Sequence, residues 1–338
     1  AVTAMALDCF AQRDTDIAVI EVGMGGRLDA TNLITPLVSL ITNISLEHRE
    51  FLGDTLLDVA VEKAGIIKEG VPLLTGVTES SVLELLRRSC LEAEAPIFHL
   101  DRDFIHSEHG TKISFFGEQL HLDQVHLGLT GGHQRRNATL ALGALDILLG
   151  LGWSLPREEI KKGFLQANWP GRLQQVSSSP RMVLDGAHNP AAMAELGRTV
   201  REEFRYSRLI LVLGIMEDKD ASAMLEALSP LADHVVFTRP EYPRAMDPHS
   251  LYKKCPTRCP LRRSFPSCHK PWTAPGTRRQ SRTWFWSAAL SSLWERPCPI
   301  LIPKPIPRKA DPAPPPLLQR TPPSRFFSAD QIQDGLLP

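Results

Sequence analysis

The sequence predicts an α/β protein built around parallel sheet and divided into more than one domain. Short apolar runs alternate with helical stretches between residues 16 and 238, the pattern of βα units. Most of these runs end in glycine or polar residues, as strands do where α/β proteins hold their ligands. At 338 residues and 43% hydrophobic composition, the chain is long enough to bury a sizeable core.

The first strand is read at Asp16 to Val22, an apolar run leading into a glycine-rich turn, and the second at Leu37 to Ile44. A helix starts at Asp54, and Ser80 is read as the cap of a helix reaching about Glu94. Ile113 to Phe116 and Gln119 to Leu122 flank Gly117-Glu118 and predict a hairpin. A helix follows from Gln134 to Leu149, then a strand at Met182 to Leu184 and a helix from Pro190. Strands at Leu209 to Leu213 and His234 to Phe237 close the regular part. The serine-rich stretch Val176 to Pro180 is read as a domain linker, giving domains at 1–175 and 176–250.

Beyond about Leu251 the pattern fails. Proline becomes dense, tryptophans cluster at 284, 286 and 294, and no amphipathic period survives. One reading is a proline-rich linker. The other is a reading-frame shift: with suitable synonymous codons, Thr283 to Arg296 reads as Leu-Val-Leu-Val-Cys-Gly-Ser-Leu-Phe-Val-Val-Gly-Glu, a strand and a small-residue turn. We expect residues 251–338 to be out of frame and disordered.

Charge narrows the partners. Lysine plus arginine number 38 and aspartate plus glutamate 38, which argues against a general nucleic-acid or anionic-membrane binder. The longest strongly apolar stretch, Leu209 to Met216, is too short to cross a bilayer. No basic-then-apolar leader opens the chain, and Cys9 and Cys90 read as isolated reduced thiols, so a cytoplasmic location is expected.

Six constellations carry chemistry. Glu21-Val-Gly23-Met-Gly25-Gly26-Arg27-Leu28-Asp29-Ala30-Thr31-Asn32 places a carboxylate at a strand end before glycines that let backbone approach a substrate; a tight turn with a surface glutamate reads equally well. Thr42-Asn43-Ile44-Ser45-Leu46-Glu47-His48 brings polar groups to a second strand end, where His48 is either a structural hydrogen-bonder or, with Glu21, a magnesium ligand. In the helix from Asp54, Leu56, Ala60, Lys63 and Ile67 form one stripe. Lys63 then either snorkels to water or is desolvated toward a neutral amine, which adds carbon dioxide to give an anionic carbamate. Gly131-Gly132-His133-Gln134-Arg135-Arg136-Asn137, Trp169-Pro170-Gly171-Arg172 and Asp185-Gly186-Ala187-His188-Asn189-Pro190 are three more turns, each readable as a plain cap or loop. Arg172 offers a planar fork suited to phosphate.

In this order and spacing the six motifs resemble folylpolyglutamate synthase and dihydrofolate synthase of the bifunctional bacterial type, in the Mur ligase superfamily, over roughly residues 1 to 250. The resemblance implies a Mur ligase-like fold: an incomplete central ATPase-type parallel-sheet domain and a partial Rossmann-like carboxyl-terminal domain. It implies that Glu21, His48 and a carbamylated Lys63 bind magnesium, and that Leu28, Asp29 and Ala30 touch the pterin. It implies that Asn137, Arg172 and Asp185 hold ATP, with His188 near the reacting groups and Lys63 and His188 serving catalysis. Asp218-Lys219-Asp220 matches a further family segment. Glu47 departs from the aspartate usual in relatives.

The implied reaction joins L-glutamate to dihydropteroate or a folate by way of an acyl phosphate, in a monomer that uses ATP and Mg2+ and takes no nucleic-acid or membrane partner. No Gly-x-x-x-x-Gly-Lys-Ser/Thr occurs in the chain. We expect that loop upstream of Ala1, so the chain reads as amino-terminally truncated and, alone, inactive. A non-catalytic remnant with weak nucleotide or folate binding is the alternative, and Cys255, Cys259, Cys268 and His269 leave a zinc site open.

Overall fold

The computed structural model describes residues 1–46, 48–240 and 242–256, with the backbone of 262–264 and 283–288. Helix α1 (Val2–Gln12) opens the chain and buries none of its residues. Residues 17–22, expected to be a strand, pair with no other described residue, and Val19 is 94% exposed. An apolar run becomes a strand only where a neighbour takes its backbone hydrogen bonds, and none is in place here.

A three-stranded parallel sheet follows: β1 (Ser39–Ile41), β2 (Leu73–Thr75) and β3 (Ile97–His99), in that spatial order. The strand expected over Leu37 to Ile44 is thus shorter than read. Between β1 and β2 lie α2 (Arg49–Leu52) and α3 (Leu56–Ala64). Thr55 and Asp58 form a reciprocal capping box at the head of α3, so its start is fixed locally. Helix α4 (Ser80–Glu92) has Glu79 at its cap position and no side-chain cap, which corrects the role given to Ser80. Val59, Ala60, Leu73, Val82 and Leu86 are fully buried between this sheet and its helices.

Helix α5 (Leu100–Asp103) leads into an antiparallel sheet of β4 (Ile105–His109), β5 (Lys112–Phe116) and β6 (His121–His126). The predicted hairpin forms, with four residues rather than two in its turn, closed by Gly117 N donating to Leu120 O at 2.9 Å. Helix α6 (Gly132–Gly150) packs Leu140, Leu142 and Ile147 with Ile113, Phe115 and Leu122 of this sheet. Helix α7 (Arg157–Gln166) ends the first half.

Strands β7 (Gln174–Ser178) and β8 (Arg181–Asp185) pair antiparallel, with a cis Ser179–Pro180 peptide between them. The expected linker at Val176 to Pro180 is therefore part of a hairpin in the second sheet, and residue 175 falls inside β7. Serines in an extended, half-exposed strand lack the apolar alternation that marks strands in a sequence. Then come α8 (Pro190–Glu203), β9 (Leu209–Gly214), α9 (Ala221–Leu228), β10 (His234–Phe237) and α10 (Pro248–Lys254). Asn189, Asp220 and Asp247 each cap the helix that follows them.

The last two strands, β11 (Arg262–Ser264) and β12 (Thr283–Ala288), complete a six-stranded sheet in the order β11-β10-β9-β12-β8-β7, parallel except for β7. The expectation of disorder from residue 251 is thus corrected at α10, β11 and β12; the rest of that stretch lies outside the described residues. Strand β12 pairs with β8 on one side and β9 on the other. The facing edges of β8 and β9 both spend their backbone hydrogen bonds on β12, and backbone pairing makes little demand on side chains.

Candidate active site

The glycine loop of residues 23–32 is folded by its own aspartate. Asp29 Oδ2 accepts from Gly23 N (3.1 Å) and Met24 N (2.9 Å), while Oδ1 accepts from Thr31 N (2.9 Å) and Thr31 Oγ1 (2.7 Å). The hydroxyl of Thr31 does most to hold the Asp29 carboxyl below its ordinary range. Asp29, expected at the pterin, thus spends both oxygens inside the loop, whereas Leu28 is 79% exposed and Ala30 exposed beside it.

The loop is seated on the end of α3. Arg27 N donates to Glu62 O at 2.8 Å, and Asn32 Nδ2 donates to the carbonyls of Arg27 (3.1 Å) and Gly65 (2.9 Å). A Cβ on Gly26 would lie 2.9 Å from Glu62 O and 3.1 Å from Lys63 O, and one on Gly65 would lie 2.4 Å from Arg27 Cα. Glycine at both positions permits this backbone contact. The first and third motifs therefore interlock, and Glu62 and Gly65 belong to the loop's support. Their place on either side of Lys63, in Glu62-Lys63-Ala64-Gly65, was the available signal.

Lys63 is half-buried, one turn from the fully buried Val59 and Ala60. It sits at the margin of the apolar face, not within it, consistent with a stem that runs along the helix and a head that reaches water. His48, exposed and in the left-handed backbone region at φ 49°, stands at the cap position of α2. A Cβ on Gly25 would meet Leu52 of α2 at 3.0 Å, so α2 and α3 both abut the loop. Glu21 is exposed just ahead of it, and Glu47 lies outside the described residues. Among the described residues no three of His, Cys, Asp and Glu converge as a metal cage. Mg2+ binding phosphates takes one or two protein carboxylates and keeps several waters; exposed Glu21 offers one such carboxylate, and exposed His48 a ring nitrogen in place of a second oxygen. Cys255, one of the four candidate zinc ligands, is buried in the core of the six-stranded sheet; Cys259, Cys268 and His269 lie outside the described residues.

The other three motifs meet at the carboxyl end of β8. Asp185 is buried and accepts from Leu173 N (2.9 Å) and Ala187 N (2.8 Å), which ties the Trp169–Arg172 loop to the turn bearing His188. Burial raises the Asp185 pKa above its ordinary value, against the pull of those two amides and of nearby Arg172 and His133. Leu173 Cδ1 also lies 3.2 Å from where a Gly131 Cβ would stand, which brings in the start of α6. Arg172 and Asn137 are exposed, and Asn137 Nδ2 makes one long contact to Gln134 Oε1 (3.4 Å). The half-buried His188 ring lies with Nδ1 3.0 Å from Gly186 O. Asp218 and Lys219 pair at 3.1 Å, and Asp220 caps α9.

Two groups escaped the sequence reading. Glu195 Oε1 of α8 accepts from His133 N at 3.2 Å, and Arg135 Nη1 of α6 meets Glu203 Oε1 of α8 at 2.6 Å. Neither acid stands in a motif, so nothing in the linear pattern singled it out.

Comparison with known proteins bears on the whole arrangement. Family models described as Mur ligase middle domain and as Mur ligase, glutamate ligase domain match residues 3–145 and 171–269. A crystal structure of Mycobacterium tuberculosis folylpolyglutamate synthase, complexed with ADP and AMPPCP, superposes with a TM-score of 0.74 at 32% identity, covering 85% of this chain and 69% of that one. The chain belongs to the Mur ligase family. Within that family it is 36% identical over 257 residues to the dihydrofolate synthase/folylpolyglutamate synthase of Bacillus subtilis, across 74% of this chain and 60% of the relative. Escherichia coli FolC in complex with DHPP and ADP also superposes, with a TM-score of 0.74 at 29% identity, over 84% of this chain and 66% of that one. This Mur ligase chain thus spans about three-fifths of the length of its B. subtilis relative. No described helix is long and apolar enough to cross a membrane.

Proposed function

We propose that this chain carries the active-site framework of an ATP-dependent ligase that joins L-glutamate to dihydropteroate or a folate. The observation that carries the reading is Asp185, which binds the Arg172 loop and the His188 turn together beside the start of α6. Arg172 and Asn137 are left exposed there to meet nucleotide phosphates. The M. tuberculosis and E. coli relatives that superpose on this chain were solved with ADP. Asp185 acts by holding its two loops, and Arg172 supplies a fixed positive fork. In the reaction the carboxylate of the pteroate or folate takes the γ-phosphoryl group, ADP leaves, and the amine of glutamate displaces phosphate to form the amide. Glu21 and His48 hold magnesium beside the glycine loop, joined by Lys63 as a carbamate. Bound magnesium offsets negative charge around the transferred group. Leu28 and Ala30 face the pterin, with Asp29 shaping their loop, and His188 lies near the reacting groups.

The chain acts as a cytoplasmic monomer in this reading, and its domain boundary moves from residue 175 to a point ahead of Gln174. The absence of a Gly-x-x-x-x-Gly-Lys-Ser/Thr motif favours a second reading, binding without turnover. One experiment separates the two. Titration calorimetry with ADP and Mg2+ tests the site, and release of ADP on mixing ATP, dihydropteroate and L-glutamate tests turnover. Binding with no release supports the second reading, and absence of both sinks the nucleotide site.

A further inference from the structure

Two adjacent arginines at the head of α6 reach in different directions. Arg136 Nη2 donates to Gly76 O at 2.8 Å and pairs with Asp101 Oδ2 at 2.7 Å, which fastens α6 to the loop after β2 and to α5. Arg135 turns the other way. Its Nη1 meets Glu203 of α8 at 2.6 Å, and its Nε bonds Glu108 of β4. The Arg135 side chain is 12% exposed and that of Glu203 18%, so this ion pair is largely withdrawn from water. A guanidinium can hold two carboxylates at once through its planar fork, where an ammonium lacks that geometry. The helices also approach closely: Glu195 of α8 accepts from His133 N at 3.2 Å, and a Cβ on Gly132 would stand 2.7 Å from Arg198 Nη2.

We propose that Arg135 is a strut between the two halves of the chain. It holds α8, which packs on the six-stranded sheet, against α6, which packs on the antiparallel sheet. Asn137 follows Arg135 by two residues on α6, and the Asp185–His188 turn leads directly into α8. The strut therefore sets the spacing between those groups. What that spacing serves rests on the nucleotide reading above; the strut itself does not. Arg135 is a positioning residue in this account and touches no substrate.

The test is amide hydrogen exchange on the full chain and on Arg135→Gln, R135E and R135E/E203R. Loss of the strut is expected to speed exchange roughly tenfold or more in the first turn of α6 and in α8, with β9 and β10 as protected as before. R135E is expected to open the same segments, and R135E/E203R to recover part of the protection in α8 by reversing that pair, while the new carboxylate at position 135 still faces Glu108. Unchanged exchange in Arg135→Gln overturns the proposal. So does faster exchange spread evenly through β9 and β10, which marks a general loss of stability, or a double variant no better protected than R135E. Calorimetry with ADP and Mg2+ on the unaltered chain keeps the two readings apart: no binding removes the nucleotide site and leaves exchange to decide the strut.

Discussion

Arg27 is joined to Glu62 twice, by its backbone N to the Glu62 carbonyl at 2.8 Å and by its guanidinium Nη2 to the carboxylate at 2.8 Å. The two links differ in worth. The guanidinium is half exposed, so the ion pair contributes about 0–1 kcal/mol. The backbone contact depends on a glycine opposite, because a Cβ on Gly65 would come 2.4 Å from Arg27 Cα. Gly65→Ala should therefore destabilise the chain by about 1–3 kcal/mol, and Arg27→Ala by less than about 1 kcal/mol. Urea midpoints at unchanged m-value measure both, and a larger loss for Arg27→Ala contradicts the ranking.

Asp146 of α6 is buried and accepts from Gln119 N (2.8 Å), Leu120 N (2.7 Å) and, more weakly, Glu118 N (3.3 Å). Removing the carboxylate strands these amides at the tip of the β5–β6 hairpin. Asp146→Ala should cost about 3 kcal/mol, with Asp146→Asn in between because its amide oxygen still accepts. Equal stability of Asp146→Ala and the unaltered chain by denaturant titration excludes this role.

Asp185 makes stability depend on pH. Burial raises its folded-state pKa above the ordinary 3.8, so between those values the folded chain binds a proton that the unfolded chain has released. Its contribution is fully present below the unfolded pKa and is lost as pH rises through the raised folded value. Asp185→Asn should flatten that decline. The check is unfolding free energy measured across the acid range for both proteins, and parallel curves contradict it.

Arg172 is exposed, so its removal should leave the fold intact and weaken nucleotide binding. A charge-assisted hydrogen bond to phosphate contributes about 1.5–3 kcal/mol, so Arg172→Ala should lower ADP affinity roughly tenfold to a hundredfold. Calorimetry reads this directly, and an unchanged affinity removes Arg172 from the nucleotide site.

Cys90 lies on the buried face of α4, and burial pushes its thiol pKa to about 11. A thiol so placed is protonated and shielded at neutral pH, so it should resist iodoacetamide in the folded chain and react once unfolded. Peptide mass spectrometry after labelling distinguishes the two states. Rapid modification of Cys90 in the native protein would falsify the packing described for α4.

What the sequence disclosed followed from local chemistry. Pro190 marked the start of α8, the apolar run at His234 to Phe237 marked β10, and the glycine and acid motifs marked the loops that meet at β8 and on α3. These signals are contained in a few neighbouring residues, so the chain order alone displays them. Asp16 to Val22 reads as a strand by the same logic, and its local pattern is right for one. Strand formation there turns on a partner elsewhere, and among the described residues none pairs with it.

The sequence by itself determined the α/β alternation and the residues gathered at its loops. Only the tertiary structure decided that Asp29 is consumed inside its own loop, that β12 enters between β8 and β9, and that Arg135 finds Glu203. Each of these depends on which atoms become neighbours after folding. Hydrogen bonds and buried ion pairs take their partners from space, and a linear pattern specifies only what each residue is able to offer.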